Sequence, residues 1–123
     1  MKTLLPIIVL GLLLTGCSAS PVQMSDEASC AEIAKSINII NGFLSSSTGD
    51  PNEATAVFTE VAKSFEDVAN QTSGEKSTWA LAMAESAADA SISIVAKDSD
   101  KLTGSIEALM AGMAFEATYC PSN

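Results

Sequence analysis

Apolar residues return every three or four positions along most of this chain, which is the spacing of one face of an α-helix. The clearest run starts at Cys30 and continues through Ile33, Ile37, Ile40 and Leu44. No stretch alternates apolar and polar residues with the period of two that marks a half-buried strand. The pattern therefore predicts an all-α domain.

Three polar breaks divide this pattern into four helices of similar length. The breaks fall at residues 45–50, 71–74 and 97–100. They are rich in Ser, Thr, Asp and Gly, which favour turns and helix caps. Asp50-Pro51-Asn52-Glu53 is the clearest helix start, because Asp is a good N-cap and Pro is favoured at the first helical position. The helices are predicted at about 26–46, 51–70, 74–97 and 99–118.

The third and fourth predicted helices are rich in small residues. The apolar side of the third is predicted to be Trp79, Leu81, Ala84, Ala88, Ile92 and Val95. The stripe of the fourth is predicted to be Leu102, Ile106, Leu109 and Met113, with Met110 and Phe115 beside it. Gly104 and Gly112 each cost about 1 kcal/mol against Ala inside a helix. Close packing of the two helices would offset that loss, so we expect both glycines to face the third helix.

The two cysteines of the helical region test the number of helices. Cys30 lies near the start of the first helix and Cys120 at the end of the fourth. A disulfide needs Cα atoms about 4.4–6.8 Å apart, and an even number of antiparallel helices brings the chain back to the end where it began. Three helices would separate the cysteines by about 30 Å. The sequence predicts an up-down-up-down four-helix bundle closed by a Cys30–Cys120 disulfide, with two free buried thiols as the alternative.

The N-terminal segment has a different pattern. Lys2 precedes an apolar run that ends in Leu14-Thr15-Gly16-Cys17. The run is too short to span a membrane and suits the core of a signal peptide. These four residues resemble the lipobox of bacterial lipoprotein precursors, with Leu at −3, Gly at −1 and Cys at +1 relative to the cleavage point. An ordinary secretory signal with an unrelated cysteine is the alternative.

The resemblance implies a division of the chain into three parts. Residues 1–16 are a signal peptide that is removed, residues 17–25 are a lipidated tether, and residues 26–123 are the helical domain. In that family the residue matching Cys17 carries a thioether-linked diacylglycerol, and its amine is often acylated with a fatty acid such as palmitate. The chain is then exported and held on the outer face of the cytoplasmic membrane or on the outer membrane.

The even number of helices also predicts how the domain is oriented on the membrane. The first helix starts at the tethered end, so the first and third turns face away from the membrane. We expect a partner protein to meet the domain at four residues of these turns: Thr48, Asp50, Asp98 and Asp100.

Composition excludes several functions. The net charge is −9, and the chain contains neither Arg nor His, so we expect no nucleic-acid partner. Asp98 and Asp100 suggest Ca²⁺ ligands, but they are explained as readily by charges at a helix N-terminus. Adjacent Lys–Ser pairs such as Lys76-Ser77 do not face each other on a helix. We therefore expect no enzymatic activity, no metal and no cofactor.

Two functions remain open. The first is a non-catalytic protein-interaction module of the cell envelope, with an envelope or extracellular protein as partner, as in phage exclusion or as an accessory of an envelope complex. The second is a carrier that binds an apolar small molecule in the bundle core. Met83, Met110 and Met113 are consistent with an adaptable apolar pocket or with core filler. Trp79 is interpreted as a core residue, with insertion at the membrane surface as the alternative.

Overall fold

The computed structural model describes residues 24–46 and 49–121. Five helices follow one another in this part of the chain: α1 (Asp26–Ser46), α2 (Pro51–Gln71), α3 (Gly74–Ala96), α4 (Ser99–Met113) and α5 (Glu116–Tyr119). These residues form no strand, and none of their helices is long and apolar enough to cross a bilayer. The four residues that resemble a lipobox, which include Cys17, lie outside the described residues, as does Thr48.

The four long helices pack in sequence order, and the predicted all-α four-helix bundle is confirmed. Among the described residues, α1 packs closely on α2, α2 on α3, and α3 on α4. The Cys30–Cys120 disulfide is also confirmed, with a distance of 5.5 Å between the two Cα atoms. The chain therefore enters and leaves the bundle at the same end, which we call the disulfide end. We call the opposite end the distal end.

Side chains that precede three of the helices cap their first turns. Ser25 Oγ accepts a hydrogen bond at 3.0 Å from the backbone N–H three residues later. Asp50 Oδ1 accepts from the N–H of Asn52 at 2.9 Å, which confirms the predicted N-cap. Asp98 Oδ1 accepts from the N–H of Lys101 at 3.1 Å. Each cap satisfies a backbone donor that the helix leaves unpaired.

The fourth predicted helix is shorter than expected. It ends at Met113 rather than near residue 118, and the single turn α5 follows it. The N–H groups of Ala114 and Phe115 bond to carbonyls three residues earlier, which tightens the last turn of α4. After this break, α5 stacks the Tyr119 ring on Trp79 with their centroids 5.2 Å apart. The predicted position of Phe115 beside the apolar stripe is wrong, since its side chain is exposed.

Large side chains of α1 and α2 fill the centre of the bundle. The largest fully buried side chains are Phe58, Phe65, Ile33, Ile40, Met83, Leu109, Val61 and Val68. Trp79 is 8 % exposed, meets Phe65 edge to face at 5.7 Å, and donates its Nε1–H to the Gly112 carbonyl at 3.0 Å. The interpretation of Trp79 as a core residue is therefore confirmed.

The prediction for the apolar side of α3 is confirmed for Trp79 and Ala84, which are buried, and wrong for its bulky aliphatic residues. Leu81, Ile92 and Val95 are exposed by 46 %, 64 % and 71 %. The buried residues of α3 are instead mostly small: Trp79, Ala80, Met83, Ala84, Ala87, Ala90 and Ser93. An alanine-rich helix is apolar on several sides, so periodicity alone does not choose one. The bulky phenylalanines of α2 select the side with small residues, because those leave room for them.

The two glycines of α4 behave differently. A Cβ atom at Gly112 would overlap the sulfur of Met83, so this glycine permits the close contact between α3 and α4. A Cβ atom at Gly104 would meet nothing within 4 Å. The prediction of a packing role is therefore confirmed for Gly112 and wrong for Gly104. Met110, also predicted beside the apolar stripe, is 52 % exposed.

Candidate functional site at the distal end

The distal end brings together the start of α2 and the turn between α3 and α4. Pro51, at the first position of α2, lines one shallow depression together with Lys97, Asp98 and Leu102. Two of the residues predicted to face a partner, Asp50 and Asp98, thus lie at the same end of the bundle. Asp100 follows in the first turn of α4 and is exposed.

A second depression at this end is almost entirely apolar, and we call it the distal pocket. It has a volume of about 280 Å³ and is open to solvent on one side. Each of the four long helices contributes to its wall. The lining residues are Phe43, Gly49, Asp50, Pro51, Ala54, Phe58, Ile94, Leu102 and Ile106.

The position of the pocket follows from the packing of the helices. Among the described residues, α1 and α4 are not a closely packed pair. The distal pocket lies on this side of the bundle, between Phe43 of α1 and Leu102 and Ile106 of α4. The edge-to-face contact of Phe43 with Phe58, at 5.7 Å between centroids, forms part of its wall. The pocket is thus a gap between α1 and α4, because the apolar side chains of these two helices do not fill the space between them.

Charged residues lie at the distal end near the pocket. Asp50 lines the pocket itself, and Lys97 and Asp98 line the neighbouring depression. Glu53, Asp100 and Lys101 lie in the first turns of α2 and α4. We call these six residues the rim, which carries more negative than positive charge. Asp50 and Asp98 also cap α2 and α4. Replacing either with Ala would remove a cap worth about 1 kcal/mol together with the charge. Replacement with Asn removes the charge and retains a good cap.

A polar cluster at the disulfide end was not predicted. Lys76 Nζ donates to Ser29 Oγ at 2.6 Å, although the two residues are 47 positions apart. The Ser29 side chain is fully buried, and its hydroxyl donates to the Asp26 carbonyl at 3.0 Å. Lys76 also forms an ion pair with Asp26 at 3.5 Å. The cluster fastens the start of α3 to the start of α1, and only the folded chain reveals it.

Comparison of the chain with protein-family models, with curated proteins and with solved structures finds no match.

Proposed function

We propose that the chain is a lipid-anchored lipoprotein of the bacterial cell envelope and that its helical domain is a non-catalytic protein-interaction module. The anchor is supported by the likeness of Leu14-Thr15-Gly16-Cys17 to a lipobox. The interaction surface is the distal pocket with its charged rim. The main support for the interaction surface is that this apolar pocket is open to solvent at the distal end, opposite to the end where the chain enters the bundle.

The place where the chain enters the bundle supports an orientation in which the distal end points away from the membrane. The N–H of Met24 donates to the Gln71 carbonyl at 3.2 Å, so the chain is fastened to the disulfide end from Met24 onward. Between Cys17 and Met24 the tether reaches at most about 23 Å when fully extended. A bundle of helices about 30 Å long then presents its distal end away from the lipid.

The size and lining of the distal pocket indicate the occupant. Its volume of about 280 Å³ lies near the lower limit of roughly 300–1,000 Å³ for small-molecule sites. A pocket of this size accommodates one large apolar side chain, which is the usual anchor at the centre of a protein interface. The excess of acidic residues on the rim favours basic residues around that anchor. We infer a partner that inserts an apolar side chain flanked by Lys or Arg.

The carrier remains a second candidate because the wall of the distal pocket is apolar. The centre of the bundle is filled by side chains such as Phe65 and Ile33, both 0 % exposed, so the ligand would occupy the distal pocket rather than the core. Native mass spectrometry of the purified domain separates the two functions. A bound apolar molecule that solvent extraction removes supports the carrier, and a domain with the mass of its chain alone supports the interaction module.

Filling the distal pocket is expected to weaken partner binding strongly. A photoreactive residue at position 100 is expected to form a protein adduct in intact cells, whereas one at the exposed position 117 of α5 is not. Adding Ala54→Leu, which places bulk in the pocket, is expected to reduce the adduct by more than about tenfold, because loss of a central anchor costs about 2 kcal/mol or more.

The matched control is Ala56→Leu, which adds the same bulk at an exposed position of α2. It is expected to leave the adduct unchanged. Circular dichroism shows whether both variants remain folded. Equal adducts from positions 100 and 117, or an adduct that Ala54→Leu does not reduce, would contradict the proposed surface.

A further inference from the structure

The two sulfurs of the disulfide have different surroundings. Lys76 Nζ lies 3.4 Å from Cys30 Sγ, and the lysine side chain is only 11 % exposed. Its amine is held in place by Ser29 Oγ at 2.6 Å and by Asp26 Oδ1 at 3.5 Å. An ammonium group at this distance stabilises a thiolate on Cys30.

The backbone adds little to this difference. Cys30 is the fifth residue of α1, just beyond the first turn in which the N-terminal end of a helix favours negative charge. Cys120 instead follows the last residue of α5, and its N–H donates to the Glu116 carbonyl at 2.7 Å. The single turn of α5 is too short to add much charge at Cys120, and the Tyr119 carbonyl oxygen lies 3.7 Å from Cys30 Sγ. The ammonium group of Lys76 is therefore what distinguishes the two sulfurs.

The acidic groups near Cys30 oppose Lys76 only weakly. Asp26 and Glu27 line the same surface depression as Cys30, together with Tyr119 and Pro121. The Asp26 side chain is fully exposed, so water screens its charge. Cys30 lines this depression, and both cysteines are partly exposed, so an external reagent reaches the disulfide from solvent.

We propose that the disulfide is a site of thiol exchange in which an external thiolate bonds to Cys120 and Cys30 departs. The attacking sulfur forms a new S–S bond with Cys120 Sγ, and the electron pair of the old bond leaves on Cys30 Sγ beside the Lys76 ammonium. Exchange favours as leaving group the sulfur whose thiolate is better stabilised, and Lys76 Nζ lies 3.4 Å from Cys30 Sγ.

The reacting partner is a protein or small molecule with two neighbouring thiols. Its second thiolate attacks its own sulfur in the mixed disulfide and releases Cys120 as a thiolate. The partner is thereby oxidised by two electrons and the Cys30–Cys120 pair is reduced. In the reverse direction, which forms the bond, the Cys30 thiolate attacks a mixed disulfide on Cys120. Lys76 thus stabilises the Cys30 thiolate directly when the bond is made or broken, independently of the distal pocket.

Exchange with 2-mercaptoethanol, an uncharged monothiol, tests this assignment. The full chain carries Cys17→Ser to remove the third thiol, and excess N-ethylmaleimide stops the reaction at early times. Peptide mass spectrometry is expected to find the mercaptoethanol adduct on Cys120 and the maleimide on Cys30. Lys76→Met is expected to slow the opening of the disulfide by mercaptoethanol roughly three- to tenfold. It is also expected to distribute the adduct more evenly between the two cysteines.

Two variants complete the test. Lys76→Arg keeps the charge and is expected to retain the adduct on Cys120. Lys35→Met removes a charge from an exposed position of α1 and is expected to change neither the rate nor the position of the adduct. The position of the adduct remains informative even if Lys76→Met lowers the stability of the fold. An adduct mainly on Cys30 in the unsubstituted pair, or the same distribution with Met at position 76, would overturn the proposal.

Discussion

Replacing both Cys30 and Cys120 with Ser is expected to lower the free energy of unfolding by roughly 4–5 kcal/mol. The disulfide joins residues separated by 90 positions, so it restricts nearly the whole unfolded domain. In the chain-entropy treatment, the stabilisation grows with the length of the closed loop. For a domain of this size, such a loss is a large part of the total stability.

Urea unfolding followed by far-ultraviolet circular dichroism measures this effect. The comparison is made in chains that carry Cys17→Ser, so that only the bundle disulfide differs. Adding dithiothreitol to the unsubstituted pair is expected to give the same loss as the double serine variant. A loss below about 1 kcal/mol would show that the bond contributes little to the fold.

Two Gly→Ala substitutions in α4 are expected to have opposite effects on stability. Gly112→Ala is expected to destabilise the domain by about 1–3 kcal/mol, because the new methyl group overlaps the buried Met83 sulfur. Gly104→Ala is expected to stabilise it by about 0.5–1 kcal/mol, because that site is open and Ala favours the helix.

The same unfolding measurement compares the two glycine variants. A double-mutant cycle with Met83→Ala tests the cause, since a shorter residue at position 83 leaves room for the new methyl group. The cost of Gly112→Ala is expected to fall in that background. If both substitutions change stability in the same direction, or if the cost at position 112 does not depend on Met83, close packing is not the reason for this glycine.

Much of the architecture was predictable because local chemistry specifies it. Asp50 and Pro51 mark the start of α2 through capping and a fixed backbone angle, and the structure shows both in those positions. The Cys30–Cys120 pair then predicted an even number of helices, because a disulfide tolerates only a narrow range of distances between its two Cα atoms. These signals do not depend on knowing which faces of the helices meet.

The phase of α3 was not predictable in the same way. Its many alanines make several sides of the helix apolar, and the side that packs is determined by the volume of the α2 side chains. Leu81 and Ile92 fitted the helical period and are nevertheless exposed. Gly104 was assigned a packing role for a similar reason, although the structure has open space there.

The functional features depend on distances between helices, which periodicity does not supply. The apolar character of Phe43, Phe58 and Ile106 was visible in the sequence, but the gap between them was not. The pair Lys76–Ser29 joins two helices across 47 positions, and neither residue belongs to a recognisable motif. The positions of Asp50 and Asp98 were predictable because the turns that contain them follow from the parity of the helices.

The mass of the N-terminal fragment, isolated from bacterial cells that export the chain, tests the lipid anchor most directly. We expect a chain that begins at Cys17, carries a diacylglycerol and incorporates labelled palmitate, whereas the Cys17→Ser variant incorporates none. A chain cleaved elsewhere with an unmodified Cys17, or labelling that persists in Cys17→Ser, would contradict the lipid anchor and the orientation of the distal pocket that depends on it.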